Sequence, residues 1–169
     1  MPSTTFEKLP SEKKERILSA LLHEFSQYPL TQSQVARIIK EAHISRGAFY
    51  KYFADLTDAY TCLYQGSLKE IHAGLSVRAP LSKETVGLYV NSVKDFLENA
   101  AKSPYRDLVK MHTLYNAAFL EEKPLPIQAS PKMWAVTSLC HQTIRDILLQ
   151  PKEKNAALKR LETALSALI

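Results

Sequence analysis

The sequence predicts an all-α protein, and three observations carry that expectation. Only four glycines occur, at positions 47, 66, 74 and 87. Prolines stand at intervals that mark off segments of helical length, and apolar residues recur at spacings of three and four. Alternating Val/Ile/Thr runs and Asn-Gly or Asp-Gly turns, which announce strands and hairpins, are missing from the sequence. About eight helices are expected.

Taken in order, Ser11 is a cap residue, and Ile17, Leu18, Leu21, Leu22 and Phe25 share one face of a helix that runs to about Tyr28 and ends at Pro29. Thr31 or Ser33 caps the next helix, with Thr31 and Gln34 at capping-box spacing and Val35, Ile38, Ile39 and Ala42 as its buried stripe. His43 and Ile44 make a turn, and Ser45 caps a third helix to about Phe53. Two short helices joined by a short turn over residues 32–53 have the spacing of a helix-turn-helix, whose second member enters a DNA major groove. Asp55 caps a longer helix toward Pro80, and residues 84–102 form the next. Ser103 and Pro104 then open a helix to about Leu120. A proline-rich loop follows, and helices near 132–149 and 153–168, separated by Pro151, close the chain.

The 169 residues, 46 % apolar and 23 % charged, suit a globular protein with a real core. No apolar run is long enough to cross a membrane and no secretory leader is evident, so a cytoplasmic protein is expected. Cys62 and Cys140 are too few and too isolated for a disulfide framework or a metal site. The net charge of +5 is compatible with a polyanionic partner, and it is denser at the front: residues 1–53 hold eight Lys/Arg against five Asp/Glu. A Gly-rich phosphate loop, a metal-ligand constellation and a nucleophile with a recognisable base are all lacking, which argues against an enzyme; no cofactor and no metal are expected.

The stretch ISRGAFYKYF, residues 44–53, crowds four aromatic rings, two cations and a glycine into ten positions. On a helix starting at Ser45 the crowding sorts into two jobs. Phe49 and Phe53, four apart, close over Val35, Ile38 and Ile39, while Arg46, Gly47, Tyr50 and Lys51 face away. A tyrosine hydroxyl and a lysine ammonium reach phosphate oxygens, and Arg46 reaches guanine edges or phosphate. Gly47 costs about 1 kcal/mol of helix propensity against alanine, offset if it lets the helix approach DNA or a neighbouring element closely.

The run VARIIKEAHISRGAFYKYF resembles the helix-turn-helix signature of the TetR family of transcriptional regulators, specifically over about residues 15–60. Ile38 and Ile39 stand at its Ile-Ala pair, Ala42, Ile44 and Ser45 keep most of its turn, Gly47 keeps its glycine, and Tyr50, Tyr52 and Phe53 keep its aromatic end. The sequence departs from that pattern at His43 (usually glycine, where a positive φ is wanted), at Ala48 and Gln34 (often Thr) and at Leu56 (often Lys). The resemblance implies a DNA-binding domain over residues 1–54 and a helical effector-binding and dimerisation domain over residues 55–169. It implies DNA contacts at Gln34, Arg37, Ser45, Arg46, Gly47, Tyr50, Lys51 and Tyr52, with Lys8, Lys13 and Lys14 adding sequence-independent attraction. It also implies a repressor that binds double-stranded DNA at a palindromic operator and is released by a small apolar effector. A protein partner in place of the effector is the alternative.

For such an effector Tyr89, Phe96, Met111, His112, Tyr115, Phe119 and Trp134 are candidate pocket residues, although an ordinary core uses the same types. His112 and His141 lack a companion carboxylate at metal or catalytic spacing and read as structural or surface residues. The last two helices are apolar over much of their circumference, which predicts a two-fold homodimer of four packed helices. Val136, Cys140, Ile144 and Leu148 on one helix, and Leu158, Leu161, Leu165 and Leu168 on the other, are its candidate interface.

Overall fold

The structure is a computed structural model that describes residues 2–72, 79–120 and 130–169. Among the described residues there are nine α-helices and no strand. They are α1 (Thr4–Glu7), α2 (Ser11–Gln27), α3 (Val35–Glu41), α4 (Arg46–Tyr52), α5 (Leu56–Ile71), α6 (Val86–Lys102), α7 (Arg106–Met111), α8 (Pro131–Leu149) and α9 (Lys154–Ala167). The proline-rich loop and the last stretch before Pro80 fall largely outside the described residues.

The chain divides into two compact units, one of residues 1–70 and 103–120 and the other of residues 71–102 and 121–169. A break at residue 54 would cut the first unit. Phe25 of α2 packs edge-on against Tyr60 of α5, and both rings are buried with Leu108 of α7 in one cluster. The helix-turn-helix therefore shares its core with two later helices.

In the first unit the expected stripe is the core: Ile17, Leu21 and Phe25 of α2 meet Ile38 of α3 and Phe49 of α4, all fully buried. Each such side chain contributes about 1.5–3 kcal/mol by leaving water. Helix α1 was not anticipated, because four residues carry too little pattern. It forms because Ser3 caps it, accepting from Phe6 N–H at 3.2 Å, and because Phe6 drops its ring against Tyr52 and Phe53.

Two expected caps are not used. Thr31 lies in a 3-10 turn, Leu30–Gln32, and α3 starts after Gln34, whose amide N–H donates to the Glu24 carboxylate at 2.7 Å. A buried acid from another helix supplies the acceptor that a local cap would have supplied. Ser103 likewise turns the chain by accepting from Tyr105 N–H, and the helix begins only at Arg106. The helix expected to reach Leu120 changes register on the way: α7 passes into a π turn at His112–Asn116 and a 3-10 turn at Ala117–Phe119.

Where the π turn begins, the His112 ring stacks on Tyr64 with centroids 3.9 Å apart, and its Nδ1 pairs with the Tyr60 hydroxyl at 2.9 Å. Burial pulls the imidazole down from 6.5 to about 4. Between those values an unfolded chain binds a proton that the folded chain refuses, so stability is full above pH 6.5 and falls as the pH drops toward 4. After discounting for partial exposure, the loss attributable to His112 between pH 7.5 and 5 is about 1–2 kcal/mol. Denaturant titrations of the protein and of His112→Gln at both pH values check this; parallel pH profiles for the two proteins would refute it.

In the second unit α6, α8 and α9 pack together, burying Val90, Val93 and Leu97 of α6, Val136 and Ile147 of α8, and Leu158, Leu161 and Leu165 of α9. This corrects the expected interface. Val136, Leu158, Leu161 and Leu165 are already buried within one chain, so they are core residues of the unit and leave no surface for a partner. The outer face of α9 is polar, with Arg160 paired to Asp146 and Lys159 to Glu162. Helix α8 differs. Beyond its buried side, a second stripe of Met133, Thr137, Cys140, Ile144 and Leu148 stays half-buried or exposed, beside Trp134 at 59 % exposure. Burial holds the Cys140 thiol up at about 11, so it is protonated and packs as an apolar group. Leu168 lies half-buried at the end of α9.

Candidate nucleic-acid interface

The turn between α3 and α4 is built as a helix terminator. His43 takes φ +50°, the left-handed conformation that the missing glycine foretold. Around it Ile44 N–H donates to Ile39 C=O at 3.1 Å and His43 N–H to Lys40 C=O at 3.4 Å, the paired bonds of a Schellman cap. Arg16 of α2 adds a bond from Nε to the Ala42 carbonyl at 2.9 Å. The reversal is thus closed by backbone bonds and tied to α2, which offsets the strain of a side-chain-bearing residue at positive φ.

Ser45 caps α4 as expected, its Oγ accepting from Ala48 N–H at 3.1 Å. From that start the helix presents Phe49 to the core and turns Arg46, Gly47, Tyr50 and Lys51 to solvent, Tyr50 at 46 % exposure. The Arg46 guanidinium stands over the Tyr50 ring at 5.5 Å, and Tyr50 meets Phe49 edge-on. This arrangement holds a cation and a hydroxyl-bearing ring together on the outer face. A Cβ placed on Gly47 would meet nothing within 4 Å, so among the described residues no neighbouring element needs its smallness.

Two of the residues expected on DNA are otherwise engaged. Tyr52 is 5 % exposed, with its ring between Phe6, Phe53 and the Lys13 ammonium, so it packs in place of facing outward. Arg37 is held by Glu24: its Nε donates to Oε2 at 2.8 Å, its NH2 group to Oε1 at 2.6 Å and to Gln32 C=O at 2.9 Å, and its guanidinium covers the Tyr28 ring at 3.9 Å. The Glu24 bond raises the Arg37 pKa, so the cation is permanent. Gln34 is exposed at the start of α3, with its backbone N–H on Glu24. Lys14 lies over the Phe6 ring at 5.4 Å.

Glu24 and Ser3 are supporting residues that sequence reasoning missed. Glu24 sits on α2 among apolar neighbours and is 4 % exposed, so only its place on the buried stripe marked it. Ser3 donates from its N–H to Tyr52 C=O at 2.9 Å and from Oγ to Lys51 C=O at 2.7 Å, satisfying carbonyls at the end of α4. The only available signal was a cap-type residue ahead of a lone phenylalanine.

Residues 17–55 match the family model for bacterial regulatory proteins of the tetR family. This segment is a TetR-family helix-turn-helix domain. It spans most of α2, then α3, the His43 turn and α4, and supports DNA-binding transcription regulation. A TetR family transcriptional regulator from Chloroflexus aurantiacus J-10-FL has a similar structure, with a TM-score of 0.56 at 20 % identity over 99 % of this chain and 96 % of that one. At that identity the likeness extends the TetR-type fold to the whole chain. No curated protein matches in sequence. Among the described residues no three His, Cys, Asp or Glu side chains cluster as a metal site, and no helix is long and apolar enough to cross a membrane.

The seven residues expected around an effector do not share one unit. Met111, His112, Tyr115 and Phe119 belong to the first, where Tyr115 and Phe119 are exposed and His112 is bonded to Tyr60. Tyr89, Phe96 and Trp134 belong to the second. There Phe96 is buried edge-on to His72, and Tyr89 spends its hydroxyl on the Ala79 carbonyl. Of the seven, Tyr89 lines an open groove of about 320 Å³, alongside Leu81, Lys132, Met133 and Val136.

Proposed function

We propose that this protein represses transcription as a two-fold dimer on a palindromic operator, setting α4 of each subunit into a major groove. The observation that carries the reading is the outer face of α4, where Arg46, Tyr50 and Lys51 stand free of the core around an unobstructed Gly47. Arg46 reads a base edge or phosphate, Tyr50 and Lys51 hold phosphates, and Gln34 and Ser45 contact the backbone beside them. Half-sites about 34 Å apart, one turn of DNA, would match the dimer. Support for the dimer is the half-exposed apolar stripe of α8, Met133 to Leu148, which the subunit's own packing leaves uncovered.

Fluorescence anisotropy against the duplex upstream of the protein's own gene, with a scrambled control and a salt series, tests the reading. Lys51→Ala is expected to weaken binding to both duplexes and lower the salt slope by about 1, whereas Arg46→Ala loses about 1–3 kcal/mol of discrimination. Identical losses on both duplexes for both variants would remove the base-reading role of Arg46. Gly47→Ala is expected to raise thermal stability, since propensity favours alanine by up to about 1 kcal/mol, and yet to weaken operator binding by crowding the phosphates. Unchanged affinity in that variant would show that the glycine is not kept for DNA.

The groove beside Tyr89 and Lys132 is the site we assign to an effector, which would favour a dimer geometry that no longer fits the operator. A second reading, a protein partner in the effector's place, is favoured by Leu114, Tyr115 and Phe119, three exposed apolar side chains within six residues. A small ligand that gives a saturable thermal shift and also weakens DNA binding decides for the groove.

A further inference from the structure

We infer that Asn116, far outside the helix-turn-helix in sequence, is a positioning residue for DNA binding, holding the segment that leads into α3 from the π turn at residues 112–116. Leu30 opens the 3-10 turn between α2 and α3, and an opening N–H has no partner within its own turn. Pro29 before it has no N–H to share. The acceptor comes from 86 residues away: Leu30 N–H donates to Asn116 Oδ1 at 2.9 Å, in a buried bond. At the other end of the segment Gln34 N–H donates to Glu24. The approach to α3 is therefore clamped at both ends by side chains, one from α2 and one from the π turn.

The π turn is what aims Asn116. A π turn holds one more residue per hydrogen-bonded loop than an α turn, so relaxing it to α would rotate the following residues by roughly 100° and carry the Asn116 amide off Leu30. The turn is pinned at its start by the His112 bond to Tyr60 and the His112 stack on Tyr64. At its end it carries an unmet cost. Asn116 is 0 % exposed, and its Nδ2 has no partner at hydrogen-bond geometry among the described residues, although the amide is near enough to Tyr60 to draw the phenol's pKa back down against burial. A buried donor without a partner opposes the arrangement that the Leu30 bond favours. The two terms make the register of this turn a point where binding elsewhere on the chain can loosen or tighten the seat of α3.

The inference rests on the DNA-binding reading, and the test separates the two. In the full-length protein Asn116→Leu keeps the volume and removes the acceptor, whereas Asn116→Asp, studied at pH 6 where a buried carboxyl stays neutral, keeps it. Amide exchange is followed by peptide across the free protein, and anisotropy is measured on a duplex selected by the wild type from a random pool and on its scrambled form, well below each melting temperature. For Asn116→Leu we expect exchange about tenfold faster in residues 30–35 while residues 11–22 are unchanged, and affinity about five- to tenfold weaker on the selected duplex alone. Asn116→Asp restores both. Unaltered exchange at residues 30–35, or equal losses on both duplexes, overturns the positioning role. If the wild type selects no duplex, the DNA-binding reading fails, and the exchange result alone decides the tether.

Discussion

Arg37→Ala lowers the melting temperature by roughly 5–10 °C, the largest loss expected from any single change at the surface of the DNA-binding unit. The reason lies in Glu24. Its carboxylate is 4 % exposed, and Arg37 supplies three of the bonds that make burial tolerable, leaving only Gln34 N–H when the guanidinium goes. A buried charge without its counter-ion is among the costlier defects a fold can carry. The same substitution frees Gln32 C=O and uncovers the Tyr28 ring, so the approach to α3 loosens as well. Glu24→Gln in the Arg37→Ala background recovers part of the loss, because a neutral amide is less costly to leave short of partners. Arg37→Lys recovers only a little, since a single ammonium cannot reproduce the fork. Differential scanning calorimetry of the four proteins checks this, and an Arg37→Ala variant that melts within 2 °C of wild type refutes it.

In the proposed dimer Ile144→Arg is expected to abolish association and to weaken operator binding about a hundredfold or more. Ile144 lies at the middle of the α8 stripe between Cys140 and Leu148, half-buried and off the side that Val136, Thr143 and Ile147 bury within the unit. A guanidinium there remains solvated in a monomer but would be desolvated against its own symmetry copy, so the fold survives and the interface does not. Without the partner each subunit brings one recognition helix, and the gain from binding two half-sites at once disappears. Sedimentation, circular dichroism and anisotropy on one preparation separate the effects. A stable dimer in Ile144→Arg would place the interface elsewhere, and an unfolded protein would place Ile144 in the core. The substitution Leu161→Arg makes the contrasting case: Leu161 is buried inside the unit, so that chain is expected to lose its fold, not merely its partner.

Local rules were enough for much of the fold. The caps Ser45 and Asp55, the stop at Pro29, and the core faces of α2, α3 and α4 depend on residues within one or two helical turns, and these were legible in the chain. So was the left-handed turn at His43, because the family that the chain resembles usually has a glycine at that position. The outward set Arg46, Gly47, Tyr50 and Lys51 followed from the same 3.6-residue period.

What the tertiary structure decided were the questions in which a local preference competes with a distant partner. Periodicity marks a residue as inward-facing but not what it faces: the leucines of α9 are spent on α6 and α8, while α8 keeps an uncovered stripe. Residue type suggested that Arg37 and Tyr52 would meet DNA, yet a buried acid claims one and the aromatic cluster around Phe6 the other. The caps of α3 and its lead-in come from Glu24 and Asn116, one on the preceding helix and the other 86 residues from its partner, so no local window contains both bonds. The amino-acid sequence by itself determined which segments are helical and which face of each is apolar, since those depend on backbone geometry over a few residues. The assignment of each apolar or charged face to a neighbour was made by the packed chain, because burial and pairing energies depend on groups brought together only by folding.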